Sequence, residues 1–159
     1  MKDCFRGSEW RKWDFHVHTP FSFTHQFDGD FSDENSVEFE NSFDNYVKTL
    51  FSAAIENDIA AIGITDYFRI DGYKKIKTEY LSSDEKLFEL FKEETVIDKI
   101  KKIFVFPNIE MRLNCFVGRN SENIDFHVIF SNTIPLEVIE ENFIKKLEFI
   151  FDTPPGSRA

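Results

Sequence analysis

The sequence predicts an α/β fold in which helices layer on a sheet of mostly parallel strands. Three observations predict it. Short apolar runs alternate along the chain with stretches of helical period. The run Ile59–Thr65 (IAAIGIT) is continuously apolar, as a strand buried on both faces is. The order reads strand, helix, strand, helix, strand, strand, helix, with neither an internal repeat nor an interdomain linker.

Taken in order, Trp13–Thr19 (WDFHVHT) alternates residue types with the strand period. Pro20 to about Asn41 is rich in Ser, Asp, Asn and Gly and predicts a loop. Ser42–Asp58 places Phe43, Tyr46, Val47, Leu50, Phe51, Ala54 and Ile55 on one helical stripe. The strand Ile59–Thr65 follows. Asp84–Lys102 predicts a single long helix, with Ser83 or Asp84 as its N-cap. Ile103–Leu113 predicts a third strand, with Pro107 at a bend or at the strand start. Asn114–Asp125 is a polar connection and Phe126–Phe130 (FHVIF) a fourth strand. Leu136–Phe151 predicts a last helix with Leu136, Ile139, Phe143, Ile144, Leu147 and Ile150 inward. The closing DTPPGSRA, residues 152–159, predicts a disordered tail.

The chain has 159 residues, enough for one domain with its own core. With 42% hydrophobic and 30% charged residues it reads as globular. Its net charge of -10 repels nucleic-acid backbones and anionic lipid, which argues against a general nucleic-acid-binding module. A nuclease is still compatible, because bound metal ions invert the local field. Cys4 and Cys115 form neither a CxxC pair nor a disulfide framework. There is no signal-peptide pattern and no apolar run near the roughly eighteen residues of a membrane span. A cytoplasmic location is the expectation.

The chemistry lies where unusual residues meet the strands. His16 and His18 are two apart on the first strand, so their side chains share a face about 7 Å apart, within reach of one metal ion. Two satisfied polar side chains at a strand end are the plainer alternative. Asp66 follows the second strand directly, where α/β folds place their sites, though Asp also caps helices and turns. Glu110 sits in the third apolar run, where a carboxylate is costly unless paired or metal-bound. Arg112 shares its face and is either its ion-pair partner or a phosphate clamp. His127 lies in the fourth run. Each predicted strand thus carries a potential ligand, in the order His-x-His, Asp, Glu, His, as a multi-metal site at one barrel mouth requires.

DFHVHT, IGITDYF, NIEMRL and FHVIFSN resemble, in order, the first motifs of the PHP (polymerase and histidinol phosphatase) domain, over roughly Trp13 to Asn132. GSEWRKWDFHVHTP and the TDYF…DGYKK stretch are similar to PHP domains at the N-terminus of large bacterial AAA-like ATPases. The resemblance implies a partial, distorted TIM-like βα barrel of PHP type over residues 1–151, with about four parallel strands. It implies two or three divalent ions (Zn, Mn or Fe): His16 and His18 on one, Glu110 bridging, His127 on the second, and His25 as a further ligand. Asp66 would orient the attacking water or bind an ion, and Arg112 would hold a phosphate oxygen. The implied activity is hydrolysis of a phosphate ester, a small monoester or a nucleic-acid end, by metal-activated water. The alternative is a catalytically degenerate structural or regulatory module of a complex containing an AAA-like ATPase region, in cis or in trans. An unrelated small α/β interaction domain is the third reading.

Two departures stand out. The family's Asp-His pair after the second strand is Asp66-Tyr67 here, and no histidine follows His127. A complete βα barrel needs about 200 residues or more, so the expectation is a fragment or truncated gene product. The chain has no Gly-x-x-x-x-Gly-Lys loop, which places any ATPase partner outside it.

Overall fold

A computed structural model describes residues 10–22, 25–117 and 122–147; the predicted tail lies outside them. Strand β1, Lys12–Val17, is followed by helix α1, Val37–Glu56. The helix starts five residues before the predicted Ser42. Ser36 caps it, its hydroxyl accepting from the Phe39 N–H, and Glu38 and Glu40 sit in the first turn against the positive helix end. Phe39 lies one turn before Phe43 and stacks on it at 5.8 Å, so the apolar stripe extends into what its polar neighbours mark as loop.

Strand β2, Ile59–Tyr67, leads into a short helix α2, Asp71–Lys75, which continues as a π-helical turn over Ile76–Tyr80. The predicted single helix Asp84–Lys102 is two: α3, Asp84–Phe91, and α4, Glu94–Ile100. Lys92 breaks it in the left-handed conformation, φ 57°. The reason is phase. Ten residues separate the buried Leu87 and Ile97; an unbroken helix would set them about 80° apart. The break lets both enter one core.

Strands β3, Phe104–Val117, and β4, Glu122–Ile129, are longer than predicted. Helix α5, Leu136–Asn142, is shorter, ending in a 3-10 turn at Ile144–Lys146. The sheet order is β1-β2-β3-β4. β1 and β3 run parallel to β2, and β4 runs antiparallel to β3. The expectation of four parallel strands is corrected at β4. A parallel neighbour needs a crossover of a dozen or more residues, and only residues 118–121 separate β3 from β4.

The described helices and one face of this mixed sheet share the apolar core. Ile62, Ile64 and Val105 pack there on Phe43, Val47 and Phe51 of α1 and on Ile97 and Ile100 of α4. Ile109 and Met111 pack on Ile139 of α5. No described element covers the opposite face, where Trp13 and Phe104 are exposed. There Phe15 meets Trp13 at 5.5 Å and Phe106 at 5.8 Å. Among the described residues no helix is long and apolar enough to cross a membrane.

Candidate metal centre

The site is built on the helix-free face, starting with an irregularity in β1. Asp14 pairs with Ile62 and Val17 with Ile64, so three steps of β1 span two of β2. Such a bulge re-aims a side chain that strict alternation would send to the other face. It brings both Phe15 and His16 to the open face. Gly63 makes the turn possible, since a Cβ there would lie 2.9 Å from Phe15 Cα. Glu110 arrives from β3, paired in register with Tyr67 of β2 and His127 of β4.

His16 Nε2 lies 3.1 Å from His18 Nε2 and 3.2 Å from Glu110 Oε2, and His18 Nε2 lies 3.3 Å from the same oxygen. Three lone-pair atoms from β1, the residue just past it and β3 thus form a nearly equilateral triangle. Three ligands about 2.0–2.1 Å from one tetrahedral ion would sit about 3.3–3.4 Å apart. The triangle is therefore close to the size that one ion requires. A wider set, His16, Glu110 and His127, has its ligand atoms within 4.8 Å of one another. The set containing His18 is the better fit to a single ion, because its edges match the coordination geometry.

Each corner is held from behind. Ser22 Oγ is 3.0 Å from His18 Nδ1; with Nδ1–H donating to that hydroxyl, Nε2 keeps its lone pair for a metal. The Tyr46 hydroxyl donates to the His18 carbonyl at 2.8 Å. Tyr67 stacks on the His18 ring at 5.2 Å. Burial of His18 lowers its pKa, with the Glu110 charge acting in the opposite direction and His16 reinforcing the fall, so the neutral, ligating form is favoured. Burial, the Glu110 charge and a hydrogen bond to Glu110 raise the Tyr67 pKa, so its phenol stays protonated. Glu110 itself is 2% exposed, and a carboxylate so buried needs partners.

Asp66 is not brought to the triangle. It is buried, and its two oxygens accept from Thr19 N at 2.9 Å and Thr19 Oγ1 at 2.8 Å. Burial raises its pKa to about 6, against the lowering effect of these bonds and of Arg69. Its work is to tie the residue after His18 to the end of β2. Arg112 lies two residues beyond Glu110, but its guanidinium holds Asp125 at 2.6 and 2.8 Å across the β3–β4 pair. It is thus ion-paired, with Asp125 and not with Glu110. His25 packs among aromatic rings, 5.5 Å from Phe27 and 5.2 Å from Phe31, and is not in the group of ligand atoms that converge with His16 and Glu110.

His127 does reach the site, its ring 4.6 Å from that of His16. Its Nδ1 lies 3.1 Å from the Asn108 amide nitrogen. Sequence reasoning passed over Asn108, Thr65, Thr19 and Ser22. A buried Asn two residues before Glu110, hence on its face, was the one available signal. The other three depend on loop paths that no periodicity reports. No protein-family model, curated protein or solved structure matches this chain.

Proposed function

We propose that the chain is a metal-dependent phosphoesterase of PHP type, with His16, His18 and Glu110 holding a divalent ion such as Zn, Mn or Fe. The observation that carries this reading is the triangle of His16 Nε2, His18 Nε2 and Glu110 Oε2, with edges of 3.1–3.3 Å. The order of the DFHVHT, IGITDYF, NIEMRL and FHVIFSN motifs supports the choice of reaction. On this reading the four-stranded sheet is part of a βα barrel and the helix-free face is the barrel interior. A divalent ion, when bound, supplies Lewis acidity toward a phosphoryl oxygen and acidity to water. Glu110 contributes the negative charge that balances the ion, Ser22 holds the His18 ring, and Tyr46 holds the His18 main-chain carbonyl. Tyr67 presents a protonated phenol beside Glu110. Asp66 keeps Thr19, and so the end of the His-x-His segment, in register with β2.

One observation favours a second reading, a catalytically degenerate module that serves a larger assembly such as one containing an AAA-like ATPase. Both residues expected to assist chemistry, Asp66 and Arg112, spend their polar atoms on partners within the fold. Two measurements separate the readings. Elemental analysis of purified protein beside a His16→Ala, His18→Ala variant is expected to give about one ion per chain, lost in the variant. Hydrolysis of phosphate monoesters and oligonucleotide ends is expected to stop on chelation and return with Mn or Zn. Metal without hydrolysis selects the degenerate module; hydrolysis indifferent to chelators removes the phosphoesterase reading.

A further inference from the structure

Resting on the metal-centre reading for its ligand, though not for its geometry, we propose that His127 is a hydrogen-bond donor through Nε2–H, and that Asn108 is the positioning residue that makes it one. The acceptor would be an oxygen of an anion, such as phosphate, bound beside the ion held by His16, His18 and Glu110.

The argument begins with the Asn108 amide. Asn108 is 1% exposed. Its Nδ2 lies 2.6 Å from the Phe15 carbonyl, 2.8 Å from Thr65 Oγ1 and 3.1 Å from His127 Nδ1. A main-chain carbonyl can only accept, so the group facing Phe15 must be the NH2. The reverse orientation would set two buried acceptors against each other. Thr65 Oγ1 gives its own hydrogen to the carbonyl of Phe15 at 3.0 Å or of Gly63 at 3.1 Å, so toward the amide it can only accept. The two amide hydrogens therefore serve three neighbours, one going to Phe15 and the other being shared between Thr65 Oγ1 and His127 Nδ1. Asn108 Oδ1 is buried and has no hydrogen-bond partner among the described residues.

The consequence falls on His127. A proton on its Nδ1 would point at an amide nitrogen 3.1 Å away, which is a donor and has no lone pair with which to accept it. Nδ1 is therefore bare, and a neutral imidazole then carries its hydrogen on Nε2. A nitrogen that bears hydrogen has no lone pair for a metal. His18 differs: its Nδ1 meets the Ser22 hydroxyl, which can accept where the Asn108 amide nitrogen cannot, so an Nδ1–H tautomer that leaves Nε2 to ligate is open to it. The neighbouring elements thus sort the histidines into ligands and a donor. The His127 side chain is exposed while Asn108 is buried, so the ring edge bearing Nε2 lies on the open side of the site. The ring sits against that of His16, next to the ion's position. A neutral N–H there adds a directed contact to an oxyanion without a charge to be desolvated.

The test uses the full chain labelled with 15N-histidine. Long-range 1H–15N spectra of the metal-free protein are expected to show His127 as the Nε2–H tautomer and His18 as the Nδ1–H tautomer. In Asn108→Leu, which removes the amide at nearly constant volume, His127 is expected to lose its single tautomer and populate Nδ1–H as well; an unchanged tautomer would overturn the role of Asn108. Addition of 113Cd(II) is expected to couple to nitrogens of His16 and His18 alone. Coupling to His127, or an Nδ1–H tautomer in the metal-free wild type, overturns the proposal. His127→Ala is expected to change Zn(II) affinity less than about threefold and to weaken inorganic phosphate binding to the Zn-loaded chain about tenfold; unchanged phosphate binding removes the donor role. If no ion binds the wild type, the metal-centre reading fails, and the anion contact fails with it. The metal-free spectra still decide the tautomer and the role of Asn108.

Discussion

Thr19 gives both of its polar hydrogens to one carboxylate: its N–H and its hydroxyl reach the two oxygens of Asp66 at 2.9 and 2.8 Å. This pair joins the segment that follows β1 to the end of β2 and so sets where His18 lies. An acid in this position has a consequence for pH. Its pKa is about 6 when folded, from an ordinary 3.8, because burial opposes the charge; Asp71 adds to the rise, and Thr19 and Arg69 oppose it. The raised value means that the folded state binds the proton more tightly. The stability contributed is complete below about pH 4 and is lost as pH rises through about 6, a change of about 3 kcal/mol. Asp66→Asn, which retains an acceptor for Thr19 N–H and removes the charge, is expected to flatten this slope in urea unfolding between pH 4 and 7. Equal slopes in the two proteins would refute it. Asp66→Ala is expected to lose about 1–3 kcal/mol at acid pH, since Thr19 N–H is left buried without an acceptor.

Gly72 is the neighbour that permits this contact. A Cβ at that position would lie 2.2 Å from Thr19 Oγ1 and 2.4 Å from Asp66 Oδ2. Gly72→Ala is expected to cost about 1–3 kcal/mol, as overpacking does. It is also expected to weaken metal binding through displacement of His18. Calorimetry and a metal titration check the two effects; a variant as stable as wild type would show that α2 can move away freely.

Glu110 carries a separable prediction. Metal at 100 times its dissociation constant is expected to stabilise the wild type by about 2.7 kcal/mol. Glu110→Gln keeps the shape and removes the charge, and is expected to lose most of that increment. Chemical denaturation with and without Zn(II) measures it. An increment preserved in the variant would mean that the ion, if bound, is not held by this carboxylate.

Ser22 provides a milder test of the support behind His18. Removal of such a partner typically lowers metal affinity about 10–100-fold. Ser22→Ala is expected to fall in that range with no change in the number of ions bound. An unchanged affinity would mean that the Nδ1 contact at 3.0 Å does not orient the ring.

The strands that carry the triangle were legible because period-2 alternation and continuous apolar runs report burial directly. His16, His18 and Glu110 stood out as polar residues in such runs, and the structure brings them together. The break at Lys92 was hidden because each half of Asp84–Lys102 has good helical period; the loss of phase between Leu87 and Ile97 matters only when both must enter one core. The early start of α1 was hidden because polar neighbours mask Phe39.

What the sequence by itself determined is the α/β class, the strand cores and the polar residues placed on them, since these follow from local patterning and the cost of burying charge. The direction of β4, the bulge that turns His16 to the open face, and the partners of Asp66 and Arg112 were decided by tertiary structure alone. Each depends on atoms far apart in the chain: Thr19 and Asp66 are 47 residues apart, and His16 and Glu110 are 94. Local pattern states that a buried polar group needs a partner. Only the folded chain chooses which partner it finds, because that choice is settled by distance and geometry between elements.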